Sequence, residues 1–277
     1  MTAGRAPWER CARGGKIHVS GEIVCSFIEL DVLGVALRLD VRQFPFSIPH
    51  FAVEAEERLR LGQAAQDDLI ARGLIRGDNF APELVQALNV YARGRVAIAM
   101  RGVTDQEQHL ALAVIDNHVG VLAVQQGEAL RFELTQPDSV IRRLVGLLPP
   151  QSAGPGTSVT VTAKAAPTGR RRVEEDFSEF TFTSTVRTAG HSPAAQRAVA
   201  EDILRHPRLG GGDFLVTVRG RNTRQSAPVT MNWLDTQTGR FAVLNSTTPD
   251  GRLQATYTPA DLAALDRHLT HIVRSVS

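Results

Sequence analysis

Two histidines, His268 and His271, stand about one turn apart in "RHLTHIV" near the end of the chain, close enough on a helix to face one metal ion. Helical zinc chemistry also needs a glutamate beside such a pair and a third ligand nearby. Neither accompanies these two, so they read as solvent-facing or capping side chains. The stretch "RLGGGD" at 208–213 has the glycines of a phosphate loop. It precedes a strand pattern, whereas anion cradles precede helices, and it reads as a flexible turn. The acid pairs Glu56-Glu57 and Asp67-Asp68 fall on a helical pattern as solvated faces, and no G-x-S-x-G nucleophile motif occurs. Cys11 and Cys25 match no metal-ligand spacing. Two thiols do not make a disulfide framework, which points to a reducing cytoplasm. The expectation is a protein with no catalytic residue, no metal and no cofactor.

The totals narrow the partners. A net charge of +2 over 277 residues lacks the concentrated basic face that nucleic acid requires. No run of about 18 apolar residues is present to insert in a membrane. Hydrophobic residues make up 43% and charged residues 22%, ordinary for a folded chain, but aromatics are only 5%, so the core must rest on Leu, Val, Ala and Ile.

The elements that would position any site follow from periodicity. Residues 1–16 are basic and predict a disordered tail. "EIVCSF" is a short β-prone run, and Leu30, Leu33, Leu37 and Leu39 follow at roughly helical spacing. "RQFPFSIPHF" reads as an extended connector. "AVEAEERLRLGQAAQDDLIARGL" predicts a helix with Leu59, Ala65, Leu69 and Ile70 on its apolar side and Gly73 at its C-terminus. "FAPELVQALNVYARG" predicts another, opened by Pro82. From Arg95 the period changes to two, and "RVAIAMRGV", "HLALAVID", "VGVLAVQQ" and "ALRFELTQ" predict an antiparallel meander. Pro137 opens a short helix. Residues 151–191 read as a linker and variable segment, in which "SVTVTA" and "FTFTSTV" look like strands around the charged run "TGRRRVEED". Ser192-Pro193 opens a helix, "DFLVTVRGR", "APVTMNWLD", "GRFAVLNS" and "LQATYT" predict a second meander, and Pro259 opens a last helix with Leu262, Leu265, Leu269 and Ile272 on one face.

The halves repeat. "IDNHVGVLAV" at 115–124 and "LDTQTGRFAV" at 234–243 share the pattern aliphatic-Asp-x-x-x-Gly-x-x-Ala-Val, 119 residues apart. Arg101-Gly102 answers Arg219-Gly220 and Pro137 answers Pro259. Each Asp-x-x-x-Gly reads as a turn, with Asp opening it through its side chain and Gly supplying positive φ. The implied architecture is α+β. Residues 17–150 and 192–277 form two halves of a duplicated, quasi-two-fold unit, with sheets that could join edge to edge.

"GGGDFLVTVRGRNTRQSAPVTMNWLDTQTGRFAV" followed by "PADLAALDRHLTHIV" resembles the C-terminal half of the EspG family of type VII (ESX) secretion. "LDVLGVALRLDVRQFPFSI", "EAEERLRLGQAAQDDLIARGLI" and "PELVQALNVYARG" resemble its N-terminal half. The tail and the Arg170–Arg172 loop follow no family pattern. The resemblance implies a central antiparallel sheet between two helical bundles. It also implies a cytoplasmic chaperone, not an enzyme, that grips the apolar tip of the PPE protein in a PE–PPE heterodimer. An adaptor or a binder of small apolar ligands on the same scaffold is the alternative, and a homodimer stays open. The second copy keeps a polar strand, "VTMNWLD", where the first has "LALAVID". Arg219, Arg221, Thr230, Asn232 and Trp233 are therefore the expected contact residues, with Trp233 as anchor or, alternatively, a core residue. The hairpin loop Val103, Thr104, Asp105 and Gln106 is a second expected contact.

Overall fold

Ser26 ends one element and begins the next. It closes strand β1 (Ile23–Ser26), and its hydroxyl accepts from Glu29 N in a reciprocal capping box that starts helix α1 (Phe27–Leu37). In the computed structural model the described residues are 22–51, 55–104, 107–163, 192–219, 229–248 and 250–276. The charged run 168–176 and "FTFTSTV" lie outside them, as do residues 1–16.

An extended connector leads to α2 (Ala55–Ala71), which ends at Gly73 with φ +70° while Leu74 N returns to Leu69 O. A two-residue hairpin, β2 (Ile75–Arg76) and β3 (Asn79–Phe80), precedes α3 (Pro82–Arg93). The first meander is β4 (Val96–Thr104), β5 (Glu107–Ile115), β6 (Gly120–Gln126) and β7 (Ala129–Thr135), followed by α4 (Pro137–Val145). Next come β8 (Val159–Ala163) and α5 (Pro193–Arg205), whose N-cap Ser192 accepts from Ala195 N. The second meander is β9 (Arg208–Val218), β10 (Val229–Thr236), β11 (Gly239–Thr247) and β12 (Leu253–Pro259), and α6 (Leu262–Val276) closes the chain.

One ten-stranded antiparallel sheet carries everything, in the order β1-β7-β6-β5-β4-β9-β10-β11-β12-β8. The meanders join through β4 and β9, which pair from Val96↔Val218 to Thr104↔Gly210. β1 and β8 take equivalent places, each antiparallel to the last strand of a meander.

Residues directly opposite in antiparallel strands share a face, so the register fixes both surfaces. The front face presents Ala97, Ala99, Leu112, Val114 and Phe132 to α1 and α3, with Leu69 of α2 in the same cluster. Further along the same face Leu234, Phe241, Val243 and Tyr257 pack with Ala200 and Ile203 of α5. The back face presents Ile98, Met100, Ala113, Phe214, Val216, Met231 and Trp233 to α4 and α6. Leu265, Leu269 and Ile272 of α6 are buried there, the stripe expected of that helix. In α2 only part of the expected stripe is core: Ala65 and Leu69 are buried, but Leu59 and Ile70 are 64% and 47% exposed, because the helix packs against α1 rather than lying on the sheet.

Two sequence expectations are overturned by backbone proximity. "RLGGGD" is no turn but the first half of β9, wedged between β4 and β10. A Cβ on Gly212 would lie 2.1 Å from Arg101 O and 2.3 Å from the Trp233 ring, so the glycines are there for close approach. Nor do residues 151–154 run as a free connector. Arg240 N donates to Ser152 O at 2.8 Å, Gly154 N donates to Arg240 O at 2.9 Å, and Ala153 forms a parallel bridge with Arg240. The segment is a strap laid against β11.

Candidate partner-binding site

The middle of the front face, between the α1–α3 layer and α5, carries side chains that the helices leave partly open. On β4 these are Arg101 and Val103; on β9, Asp213 and Leu215; on β10, Thr230 and Asn232. The register aligns Arg101 with Asp213, Val103 with Gly211, Leu215 with Thr230 and Asp213 with Asn232. The Arg101 guanidinium lies 2.9 Å from the Asp213 carboxylate and 5.1 Å from the centroid of the Phe44 ring, which the extended connector lays above it. Phe44 and Val103 are 49% and 48% exposed. The result is an apolar surface around one cross-strand ion pair. An exposed pair of this kind adds only about 0–1 kcal/mol to folding, so it is free to exchange partners.

Of the residues expected to make contact, Thr230, Asn232 and Val103 lie on this surface. Thr104 does not: it is buried, and its hydroxyl bonds the His109 ring on the opposite side of the hairpin. Asp105, Gln106 and Arg221 lie outside the described residues. Trp233 is 2% exposed on the back face, stacked 4.8 Å from Phe214 and seated over Gly102 and Gly212, so its side chain offers a partner no surface. The two opposed glycines make room for the indole, and their opposition is invisible before the register is known.

Arg219 also works inside the molecule. Its guanidinium donates to Ala92 O at 2.8 Å, to Tyr91 O at 3.4 Å and to the Gln43 side-chain oxygen, capping the C-terminal carbonyls of α3. Burial lowers its pKa and raises that of Tyr91, whose hydroxyl donates to Val41 O. These groups tie connector, helix and sheet together behind Phe44. The sequence missed Phe44 and Asp213. Arg101 was in view as half of the repeated Arg-Gly, but its ion pair joins residues 112 positions apart.

The chemistry available is recognition. Burial pushes the Cys25 thiol up to about 12, which leaves it protonated and unreactive. Among the described residues no group of three or more His, Cys, Asp or Glu is arranged to hold a metal ion. Among them, too, no helix is long and apolar enough to cross a membrane.

The EspG family model matches residues 26–271, from the N-cap of α1 into α6. This chain belongs to the EspG family. No curated protein sequence matches it. The fold is similar to that of the Mycobacterium tuberculosis type VII secretion system chaperone EspG5, solved in complex with a PE25-PPE41 dimer. The TM-score is 0.56 at 14% identity, covering 93% of this chain and 97% of that one. At that identity the likeness speaks for the EspG fold alone.

Proposed function

We propose that this EspG family member is a cytoplasmic chaperone of a PE–PPE-type heterodimer, one that shields the apolar tip of the PPE protein and directs the pair to a type VII secretion system without making or breaking bonds. Family membership is the observation that carries the reading, and the partner named for EspG5 gives the substrate class. The open front surface supports it physically. Exposed apolar side chains in a cluster are a docking feature, and a helical tip covering roughly 1,200–2,000 Å² there would be held soluble by mass action.

We also read the scaffold as a duplicated unit with a local two-fold axis. In support, Ile98 and Val216 are 118 residues apart, the spacing of the repeat, and are direct partners in the central β4–β9 ladder. Among the described residues a strand, at least one helix, a four-stranded meander and a closing helix follow in that order in each half, with two further helices and a short hairpin in the first.

Co-expression with a PE–PPE pair and co-purification tests the chaperone reading. Val103→Asp and Phe44→Asp should each weaken capture about tenfold or more with an unchanged melting temperature. Wild-type protein that captures no such pair would sink the reading, and capture unaffected by both changes would remove the front surface from it.

A further inference from the structure

Helix α1, "FIELDVLGVAL", buries two acids beside Phe27, Leu30 and Leu33 and leaves other apolar residues outside. Its charged residues, Glu29 and Asp31, are buried, while Val35 is 62% exposed and Ala36 is exposed beside it. A helix apolar on all sides belongs in a core, yet along one side α1 meets only a groove. Two adjoining cavities of about 260 and 220 Å³ run between α1 and α2, sharing Ile28 and Leu61 in their walls. From Ile28 to Ala36 the groove is about 12 Å long at 1.5 Å per residue, room for two to three turns of another helix.

Gly62 points to an occupant. It sits mid-helix in α2, lines the larger cavity, and a Cβ added there would meet nothing within 4 Å. Glycine in a helix interior costs about 1 kcal/mol relative to alanine, and no contact among the described residues explains it. A helix laid in the groove would use the missing side chain for close backbone approach.

Charge selects the kind of helix. Among the described residues the charged ones lining the cavities are Asp31, Glu29 and Asp68, all acidic. Arg42 serves Asp31, but Arg72 must serve both Glu29 and Asp68, and Asp68 is 61% exposed. The lip therefore keeps an excess of negative charge.

We propose that the α1–α2 groove docks a cationic amphipathic helix of a partner protein, with its apolar stripe on Ile28, Val32 and Leu61 and its basic residues at Asp68. The site is separate from the front surface and does not depend on the chaperone reading. The probe is a fluorescein-labelled 18-residue helix with Leu at i, i+3, i+4 and i+7 and Lys on the flanks, titrated against the full chain by fluorescence polarisation. Gly62→Leu should fill the groove, keep or raise the melting temperature, and weaken peptide binding at least tenfold. The same peptide with Gln for Lys should bind at least tenfold more weakly to wild type. No binding by wild type, equal binding by the Gly62→Leu protein, or equal binding of the Gln peptide overturns the proposal. So does Gly62→Leu abolishing capture of a PE–PPE pair, or dissolving a dimer in sedimentation velocity, since the occupant would then be that pair or a second copy of this chain.

Discussion

The β5–β6 turn and the β10–β11 turn are written alike and built differently. In the first, Asp116 is exposed, its N–H takes Val119 O at 3.0 Å, and Val121 behind it is fully buried. In the second, Arg240 stands where Val121 does. Asp235 is buried and grips it with two hydrogen bonds of 2.6 and 2.8 Å, and Arg240 Nη2 also reaches Pro149 O at 2.9 Å. Thr236 makes the turn instead, its hydroxyl donating to Gly239 O. The glycines differ as well. Gly239 has φ +131° and touches the strap at Gly154, as its turn reading expects, whereas Gly120 lacks positive φ and is small because a Cβ would press Val140 of α4 at 3.0 Å. One turn only reverses the chain, while the other clamps the segment entering the second half. A repeated sequence pattern thus preserves position without preserving the job.

The contrast breaks first at the ion pair. Asp235→Ala or Arg240→Ala strands a buried charge and should cost about 3–5 kcal/mol, read from denaturant midpoints, against about 0.5 kcal/mol or less for Asp116→Ala. The double change Asp235→Leu with Arg240→Val, which removes both charges together, should be less damaging than either single change. A double mutant as unstable as the sum of the singles would show that the strap, not the pairing, carries the energy.

Next are the glycines. Gly239→Ala forces a side chain into left-handed backbone and against Gly154, and should cost about 1–3 kcal/mol or more. Gly120→Ala keeps ordinary backbone but presses the Val140 Cβ at 3.0 Å and the Gln136 carbonyl at 3.3 Å, and should cost about 1 kcal/mol. Equal losses would mean that both turns carry the same strain.

The smallest effect is a pH dependence from a histidine of α6. His268 of α6 has its pKa lowered, first by burial and then by Arg267 and His271, whereas Gly146 stands 122 residues earlier, the spacing that separates Pro137 from Pro259. Because the unfolded chain takes up this proton more readily, stability should fall as pH drops below the ordinary value of 6.5. Denaturation at about pH 7.5 and about pH 5.5 should show a drop that His268→Gln reduces; an identical slope in the variant would clear His268 of any part.

Much of the frame was legible because it is local. Alternation located both meanders, and the prolines at 82, 137 and 193 opened α3, α4 and α5 as expected. What escaped depends on register or on distant chain. The glycines of β9 read as a turn because only their β4 neighbours show why they are small. Trp233 reads either as a surface anchor or as a core residue because the Gly102–Gly212 gap beneath it belongs to two strands 110 residues apart. Asp235 read as a turn residue because its clamp runs through Arg240 to Pro149, 91 residues back. At the front surface the polar strand of the second copy showed in Thr230 and Asn232, but Phe44 arrives on a connector whose path no periodicity predicts.

The β4–β9 ladder has a consequence for how the chain comes apart and together. Its nine consecutive Cα pairs join residues as far apart as Val96 and Val218, so neither half keeps both neighbours of its innermost strand if the other melts. Unfolding should be a single cooperative event even though the chain is long enough for two domains. Assembly must wait for a contact more than a hundred residues distant, which places this protein among slow folders and leaves each half exposing a bare strand while it waits.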